Sequence, residues 1–174
     1  MTTPAPTDRA RVLVVSDTHL GDGQASRLVA RLGSLLDGVD TILHAGDVVH
    51  ASVLGALGEI APVHAVLGNN DHGLRLPERT VVALAGRTIG MVHDSGSSSG
   101  RAARLRRMFP VADMVVFGHS HIPWHEVHTD DRRHAQHHLN PGSAMQRRSQ
   151  PVCTAAVIEL RPDGIEVSIV PLDG

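Results

Sequence analysis

The chain has 174 residues, a formal net charge of −2 and an apolar fraction of 41%, which together predict one globular domain with a sizeable core. The near-neutral charge gives no strongly basic face for nucleic acid, and no apolar run approaches the roughly 20 residues that span a bilayer. Cys153 is the only cysteine, so an intrachain disulfide and a cysteine-based zinc site are excluded, and a reducing, cytoplasmic location is expected.

Residue usage departs from the ordinary in two respects. All sixteen basic residues are arginine, which excludes a P-loop lysine and Schiff-base chemistry. Tyrosine is absent and tryptophan occurs once, so an aromatic platform for single-stranded nucleic acid is not expected. Against this background, the thirteen histidines are the feature that needs an explanation.

The predicted elements alternate between strand and helix in the first half of the chain and are mostly strands in the second. Residues 1–10 are expected to form a disordered tail without a signal peptide. Valine-rich apolar runs predict buried strands, and apolar stripes of helical period predict helices. In chain order we expect a strand at 11–16, a helix at 26–36, a strand at 41–46, a helix at 51–60, strands at 63–68, 80–86 and 87–93, a helix at 101–109, a strand at 113–118, and hairpins at 123–140 and 154–172.

This order predicts a mixed sheet system with helices outside, in the α/β (α+β) class. No internal repeat or linker interrupts the pattern, so residues 11–174 are expected to form a single domain. In such folds, ligands bind at the carboxyl ends of the strands. The residues that follow each strand are therefore the ones to inspect for function.

Metal-ligating side chains follow five of the predicted strands directly. Three of these strand ends also have a glycine (Gly46, Gly68 and Gly118), where the backbone must turn sharply or another group must approach closely. If the strands share a sheet system, their ends converge in space. The groups gathered there are Asp17, His19, Asp47, Asn69, His93, His119 and His121.

Seven ligands are too many for one tetrahedral ion and enough for two ions of five or six coordination once water is added. Nitrogen and oxygen donors without sulfur suit Mn²⁺, Fe²⁺, Zn²⁺, Ni²⁺ or Co²⁺, whereas Mg²⁺ prefers oxygen alone. Each fragment by itself has a plainer explanation, such as a helix N-cap or a turn. The same placement after five strands favours the metal site.

The ordered motifs D-x-H, G-D, G-N-x-D, a lone histidine and G-H-x-H resemble the calcineurin-like metallophosphoesterase superfamily. The length and the segment "LNPGS" at 139–143 resemble its small YfcE-like phosphodiesterase branch, and the resemblance extends from about Val12 to the C-terminus. It implies a four-layer α/β/β/α sandwich, with two mixed β-sheets face to face between helices. It also implies a first metal on Asp17, His19 and His121, a second on Asn69, His93 and His119, and Asp47 as the bridging ligand.

The resemblance further implies a hydrolase that cleaves phosphodiesters with two divalent ions. Mn²⁺ is the first expectation, with Ni²⁺, Fe²⁺, Zn²⁺ or Co²⁺ as alternatives, and a metal-bridging hydroxide would attack phosphorus in line. No protein nucleophile is then needed, and Asn69 and Asn70 are expected to bind the substrate. The expected partner is a small phosphodiester, with nucleic acid only as a substrate, no membrane, and a homo-oligomer left open.

Asn70 departs from the pattern of many larger members, which have a histidine there that contacts the substrate. Asparagine can hydrogen-bond a phosphate oxygen but cannot supply a proton near pH 7, so leaving groups of low pKa should be favoured. Two alternatives stay open: a non-catalytic interaction scaffold, as in a retromer subunit of this fold, and a phosphomonoesterase. Asp71 either orients a ligand or caps the turn.

The remaining polar features have plainer expected roles. His44 is a candidate for orienting a ligand, and residues 95–100 form either a lid or a plain connector. Residues 140–143 should form a turn at the rim of the site. A solvated strand face, rather than a metal patch, is expected for His125, His128, His134, His137 and His138. The polar face of a surface helix, rather than an anion-attracting patch, is expected for Arg101, Arg104, Arg106 and Arg107.

Overall fold

The structure of the chain, a computed structural model, describes residues 8–131 and 133–172. Residues 1–7 of the expected tail and residue 132 of the expected hairpin loop lie outside the described residues. The described part contains β1 (Ala10–Val15), α1 (Ala25–Leu32), a 3₁₀ helix (Gly33–Leu36), β2 (Thr41–His44), α2 (Ala51–Gly58), β3 (Val63–Ala65), β4 (Arg79–Leu84), β5 (Arg87–Val92), α3 (Arg101–Met108), β6 (Met114–Val116), β7 (Trp124–Thr129), β8 (Ala135–Asn140), β9 (Cys153–Arg161) and β10 (Gly164–Leu172).

The strands form two mixed sheets of five strands each. The first has the order β10-β9-β1-β2-β3 and the second the order β4-β5-β6-β8-β7. In the first sheet, β1 is parallel to β2 and antiparallel to β9, whereas β2 is parallel to β3. In the second sheet, β6 is parallel to both β5 and β8. The carboxyl ends of the parallel strands therefore share one edge within each sheet.

Three buried apolar clusters define four layers. Successive residues of a strand point to opposite faces of the sheet, so Leu13 of β1 packs with α1 and α2 while Val14 packs between the sheets. On the other side of the second sheet, Leu105 of α3 packs with Val115 and Phe117. The order is helices, sheet, sheet, helix, which confirms the predicted sandwich.

The expected elements are present, and the largest difference concerns the first helix. The sequence predicts one helix over 26–36, but α1 ends at Leu32 and a 3₁₀ helix follows. Gly33 has a φ of 49°, a left-handed conformation that a glycine adopts without steric cost and that ends an α-helix. No helix in the described part of the chain is long and apolar enough to cross a membrane.

Candidate metal centre

The loops that follow five strands bring the seven predicted ligands together. In the first group, the Nε2 atoms of His19 and His121 are 3.3 Å apart. Both nitrogens face one carboxylate oxygen, since Asp17 Oδ1 lies 3.9 Å from His19 Nε2 and 3.4 Å from His121 Nε2. The three side chains thus offer two imidazole nitrogens and one carboxylate oxygen around one point.

The second group is built around the amide oxygen of Asn69. This oxygen lies 3.1 Å from His93 Nε2 and 3.0 Å from His119 Nδ1. Asp47 lies between the two groups, because its Oδ2 atom is 3.5 Å from His19 Nε2 and 3.5 Å from His93 Nε2. A carboxylate in this position can serve both groups at once.

Five of the seven candidate ligands have a left-handed backbone conformation, although none is a glycine. Such a conformation costs about 1–2 kcal/mol for a residue with a Cβ and is concentrated at functional sites. The protein therefore holds these loops in shapes that local preference disfavours. The φ angles are 53° for Asp17, 48° for His19, 56° for Asp47, 68° for His119 and 59° for His121.

The three strand-end glycines allow the close approaches that the sequence predicted. A Cβ atom on Gly68 would lie 2.1 Å from the backbone nitrogen of Asp47, and one on Gly118 would lie 2.0 Å from Ser16 Oγ. A Cβ atom on Gly46 would lie 2.6 Å from His93 Nδ1. Any larger residue at these positions would displace a candidate ligand or its neighbour.

Backbone carbonyl groups orient two of the imidazole rings. His93 Nδ1–H donates to the carbonyl oxygen of Ala45 at 2.7 Å, and His121 Nδ1–H donates to that of Gln146 at 2.6 Å. Because a carbonyl only accepts, Nδ1 holds the proton and the lone pair of each ring lies on Nε2. Ligating histidines are commonly oriented in this way.

One buried carboxylate oxygen has no hydrogen-bond partner. Asp17 Oδ2 accepts from Ser16 Oγ at 2.7 Å and from the backbone nitrogen of His119 at 3.0 Å. Asp17 Oδ1 is buried and unpartnered, and it is the atom that faces His19 and His121. Burial raises the pKa of Asp17, whereas a cation beside Oδ1 would stabilise the carboxylate. The donor set therefore fits a divalent ion.

Asn70 donates two hydrogen bonds to the central carboxylate. Asn70 donates from its backbone nitrogen to Asp47 Oδ1 at 2.8 Å and from Nδ2 to Asp47 Oδ2 at 2.7 Å. Burial raises the pKa of Asp47, but these two hydrogen bonds together with the nearby His93 and His19 bring the pKa below its usual value. The sequence predicted a substrate contact for Asn70, and its amide in this structure is engaged by Asp47.

The buried carboxylate of Asp71 joins two ligand loops. It accepts from the backbone nitrogens of Asp47 at 3.0 Å, Val49 at 2.7 Å and Gly68 at 2.7 Å. The bond from Gly68 caps its own turn, and the bonds from Asp47 and Val49 fix the neighbouring loop. Asp71 therefore caps its own turn and also orients a ligand loop, which are the two roles that the sequence left open. No local signal in the sequence could have revealed its bonds to Asp47 and Val49.

Ser143 and His44 contact the first ligand loop and help to hold it in position. Ser143 Oγ donates to the carbonyl oxygen of Asp17 at 2.7 Å, which places the turn at 140–143 against the first ligand loop. The fully buried His44 has Nε2 3.0 Å from Thr18 Oγ1. Burial lowers the pKa of His44 to about 3, so it is neutral at pH 7 and supports the loop rather than facing the centre.

Three of the four arginines on the polar face of α3 that the sequence predicted also contact neighbouring segments. Arg104 Nε donates to the carbonyl oxygen of Ser95 at 2.7 Å and fastens the loop at 95–100 to the helix. Arg106 Nη2 donates to the carbonyl oxygen of His128 at 2.8 Å. The guanidinium of Arg101 lies 5.3 Å from the Trp124 ring centroid. These side chains connect α3 to the loop and to the β7–β8 hairpin.

A groove of about 340 Å³ opens beside the second ligand group. Asn69, His93 and His119 lie along it together with the apolar Leu67 and Val92. Its volume suits a small ligand.

Known proteins match both the sequence and the fold. A family model for the calcineurin-like phosphoesterase superfamily domain matches residues 11–163. A probable metallophosphoesterase of Methanocaldococcus jannaschii is 32% identical over 163 residues, which cover 92% of this chain and 80% of the relative.

Three solved structures share the architecture. A predicted phosphoesterase from Streptococcus pneumoniae has a TM-score of 0.72 and 23% identity, covering 94% of this chain and 90% of the other. Vacuolar protein sorting 29 from Cryptosporidium parvum has a TM-score of 0.71 and 21% identity, covering 95% and 99%. An archaeal phosphodiesterase has a TM-score of 0.67 and 18% identity, covering 92% and 99%. At these identities the likeness shows the fold alone.

Proposed function

Because the chain belongs to the calcineurin-like phosphoesterase superfamily, we propose that it is a dinuclear metal-dependent phosphodiesterase. The observation that supports this most is the position of Asp47, whose Oδ2 lies 3.5 Å from both His19 Nε2 and His93 Nε2. A shared carboxylate between two nitrogen-rich groups is what a pair of neighbouring cations requires.

The roles follow from the geometry of the two groups. Asp17, His19 and His121 would hold one ion, Asn69, His93 and His119 the other, and Asp47 would contact both. When bound, two divalent cations supply a nucleophilic water near neutral pH and neutralise the charge that develops on the phosphoryl oxygens. Mn²⁺ is the first ion to test among those that suit nitrogen and oxygen donors without sulfur, with Ni²⁺, Fe²⁺, Zn²⁺ and Co²⁺ as alternatives.

The chain's own residues determine which leaving groups are favoured. At position 70 an asparagine amide donates to Asp47, and an amide has no acidic proton to give to a departing alkoxide. We therefore propose that phosphodiesters with leaving groups of low pKa are the best substrates. The apolar lining from Leu67 and Val92 along the groove suits a small organic arm of such a diester.

The experiment is hydrolysis of bis-p-nitrophenyl phosphate with Mn²⁺, compared between the wild type and Asp47→Ala. We expect turnover in the wild type, its loss on chelation, and a decrease of about 10³-fold in the variant. Asp37→Ala, which removes an exposed carboxylate elsewhere, is the matched control and should keep full turnover. Undiminished turnover in Asp47→Ala would refute the role of the shared carboxylate.

A second candidate function is a non-catalytic interaction scaffold. The likeness to vacuolar protein sorting 29 favours it, as does Ile122, which is 50% exposed immediately after His121. No hydrolysis of any phosphodiester with Mn²⁺, Ni²⁺, Fe²⁺, Zn²⁺ or Co²⁺ would support the scaffold. Including p-nitrophenyl phosphate in the same assays tests the phosphomonoesterase alternative.

The proposed partner is a small phosphodiester, with nucleic acid only as a substrate. The cytoplasmic location and the open question of a homo-oligomer stay predictions from the sequence.

A further inference from the structure

A cavity of about 330 Å³ is lined by residues of α1, of the segment that precedes β9, and of β9 and β10. None of the seven candidate metal ligands lines it. We call it the arginine cavity, because two guanidinium groups lie at its wall. Its lining includes Arg31, Met145, Arg147, Val152, Cys153 and Leu172.

Arg31 is positioned at the cavity by one of its three nitrogens. Nη1 donates to the carbonyl oxygen of Ala144 and to Cys153 Sγ, both at 3.4 Å. Nε and Nη2 donate to no group in the described part of the chain, and neither is among its buried unpartnered atoms. A guanidinium group held in this way has free, accessible donors for an anion.

Arg147 brings a second positive charge to the same cavity. Its Nη1 atom donates to the carbonyl oxygen of Gln150 at 2.8 Å, which is a neutral group. Within residues 8–131 and 133–172, the ion pairs of arginine involve neither Arg31 nor Arg147, and no carboxylate lines the cavity. Two positive charges therefore face this cavity without a described negative partner.

The rest of the lining is mostly apolar. Leu172 belongs to the apolar cluster beneath α1 and α2, Met145 packs against that cluster, and Val152 is 40% exposed. A ligand that fills the cavity therefore needs an apolar group beside its negative charge. The volume is at the lower end of the range of about 300–1,000 Å³ for small-molecule sites, which suits an apolar group no larger than a single ring.

We propose that the arginine cavity binds a small organic phosphate monoester, with the phosphate on Arg31 and Arg147 and the organic group against Met145, Val152 and Leu172. A phosphate monoester carries a charge of about −1.5 to −2 at pH 7, which matches two guanidinium groups, whereas a carboxylate supplies one negative charge. The planar fork of a guanidinium also fits two phosphate oxygens at once.

The test is equilibrium dialysis of the full chain against phenyl phosphate. A chelating resin first removes bound metal, so that the phosphate has no cation to bind at the candidate centre. Arg31→Met and Arg147→Met should each bind phenyl phosphate at least about tenfold more weakly than the wild type, because each loses charge-assisted hydrogen bonds to the phosphate. Arg75→Met, which removes an exposed arginine outside the cavity, is the matched control and should bind like the wild type.

Two further ligands test the two parts of the proposed ligand separately. Benzoate keeps the ring but has a single negative charge, and inorganic phosphate keeps the charge but has no ring. Each should bind at least about tenfold more weakly than phenyl phosphate. Equal affinity for benzoate would overturn the assignment of a phosphate, and equal affinity for inorganic phosphate would overturn the assignment of an organic group.

The methionine methyl groups locate the bound ligand. In a nuclear magnetic resonance spectrum of the wild type labelled with ¹³C at these methyl groups, the Met145 signal, assigned with Met145→Leu, should shift on addition of phenyl phosphate. The signals of Met91 and Met114, which are fully buried, should not shift. An unshifted Met145 signal, no binding of phenyl phosphate, or equal binding by the wild type and both cavity variants would overturn the proposal.

Discussion

Two regions of the molecule gather histidines, and they use the same side chain differently. In the loops after the strands, His19 and His93 face the carboxylate of Asp47. On the β7–β8 hairpin, His125 faces another imidazole, and the fully buried His138 has Nε2 2.9 Å from Gln136 Oε1. A metal centre is thus distinguished by carboxylates among its histidines and not by the number of histidines.

The backbone conformation of the histidines also differs between the two regions. His119 and His121 have φ angles of 68° and 59°, whereas His137 and His138 lie in a regular antiparallel ladder with β7. The strand ends therefore hold their histidines by strained loops, while the hairpin holds them by ordinary pairing. Changes to the loops should therefore affect the candidate centre, whereas changes to the hairpin should leave the centre intact.

Among the changes that test the difference between the two regions, the largest expected effect comes from Gly68→Ala. Its Cβ atom would lie 2.1 Å from the backbone nitrogen of Asp47 and 2.2 Å from Asp47 Oδ1, so the loop must move. A displacement near 1 Å at a catalytic group lowers turnover by about 10²-fold, and overpacking costs about 1–3 kcal/mol of stability. Hydrolysis of bis-p-nitrophenyl phosphate and urea unfolding measure the two effects.

Gly164→Ala is the control for this experiment, because a Cβ atom there would meet nothing within 4 Å. It should leave turnover unchanged.

An intermediate effect is expected from Asp71→Asn. The carboxylate accepts from three backbone nitrogens, and the amide of the variant would bring donor hydrogens toward some of them. Removing a group that positions metal ligands lowers metal affinity by about 10–100-fold. Titration with Mn²⁺ measures this, with Asp37→Asn as the control for loss of one exposed carboxylate. Equal Mn²⁺ affinity in Asp71→Asn and the wild type would contradict the positioning role.

The smallest expected effect concerns pH and the hairpin. Burial lowers the pKa of His138 to about 4, whereas the unfolded chain binds a proton near the usual value of 6.5. Between these values the unfolded state binds more protons, so the free energy of unfolding falls as the pH falls from about 6.5 towards 4. His138→Leu removes this contribution.

Urea unfolding at pH 7 and pH 5 provides the comparison. The wild type should lose more stability than His138→Leu over this interval, by an amount on the order of 2 kcal/mol. His64→Asn should retain the pH dependence of the wild type. If the wild type and His138→Leu lose stability equally, His138 is not buried in its neutral form.

Much of the architecture could be predicted from the sequence because its signals are local. Valine-rich apolar runs marked strands such as β1 and β6, and the ligand types that follow them indicated a shared site. The strand order could not be read in this way, since β9 pairs with β1 across more than a hundred residues. Such register depends on the packing of distant segments.

The same limit explains what the sequence missed at the site. The left-handed backbone at Asp17 and Asp47 depends on contacts with other loops. Aspartate adopts this conformation more often than most residues do, but the sequence does not show at which positions. The solvated face expected for the hairpin was wrong for His138, because Gln136 beside it is also fully buried and donates to the carbonyl oxygens of Phe109 and Ala112. A buried polar pair of this kind looks like a surface pattern in the sequence.

The strained loops have a consequence for how this protein would acquire its ions. Paired strands and three clusters of buried apolar side chains stabilise the two sheets, so we expect the ligand loops to be in place before any cation binds. The cation would then not be required for folding, unlike the ion of a zinc finger. One polypeptide could exchange its ions as cellular supply changes and remain folded during the exchange.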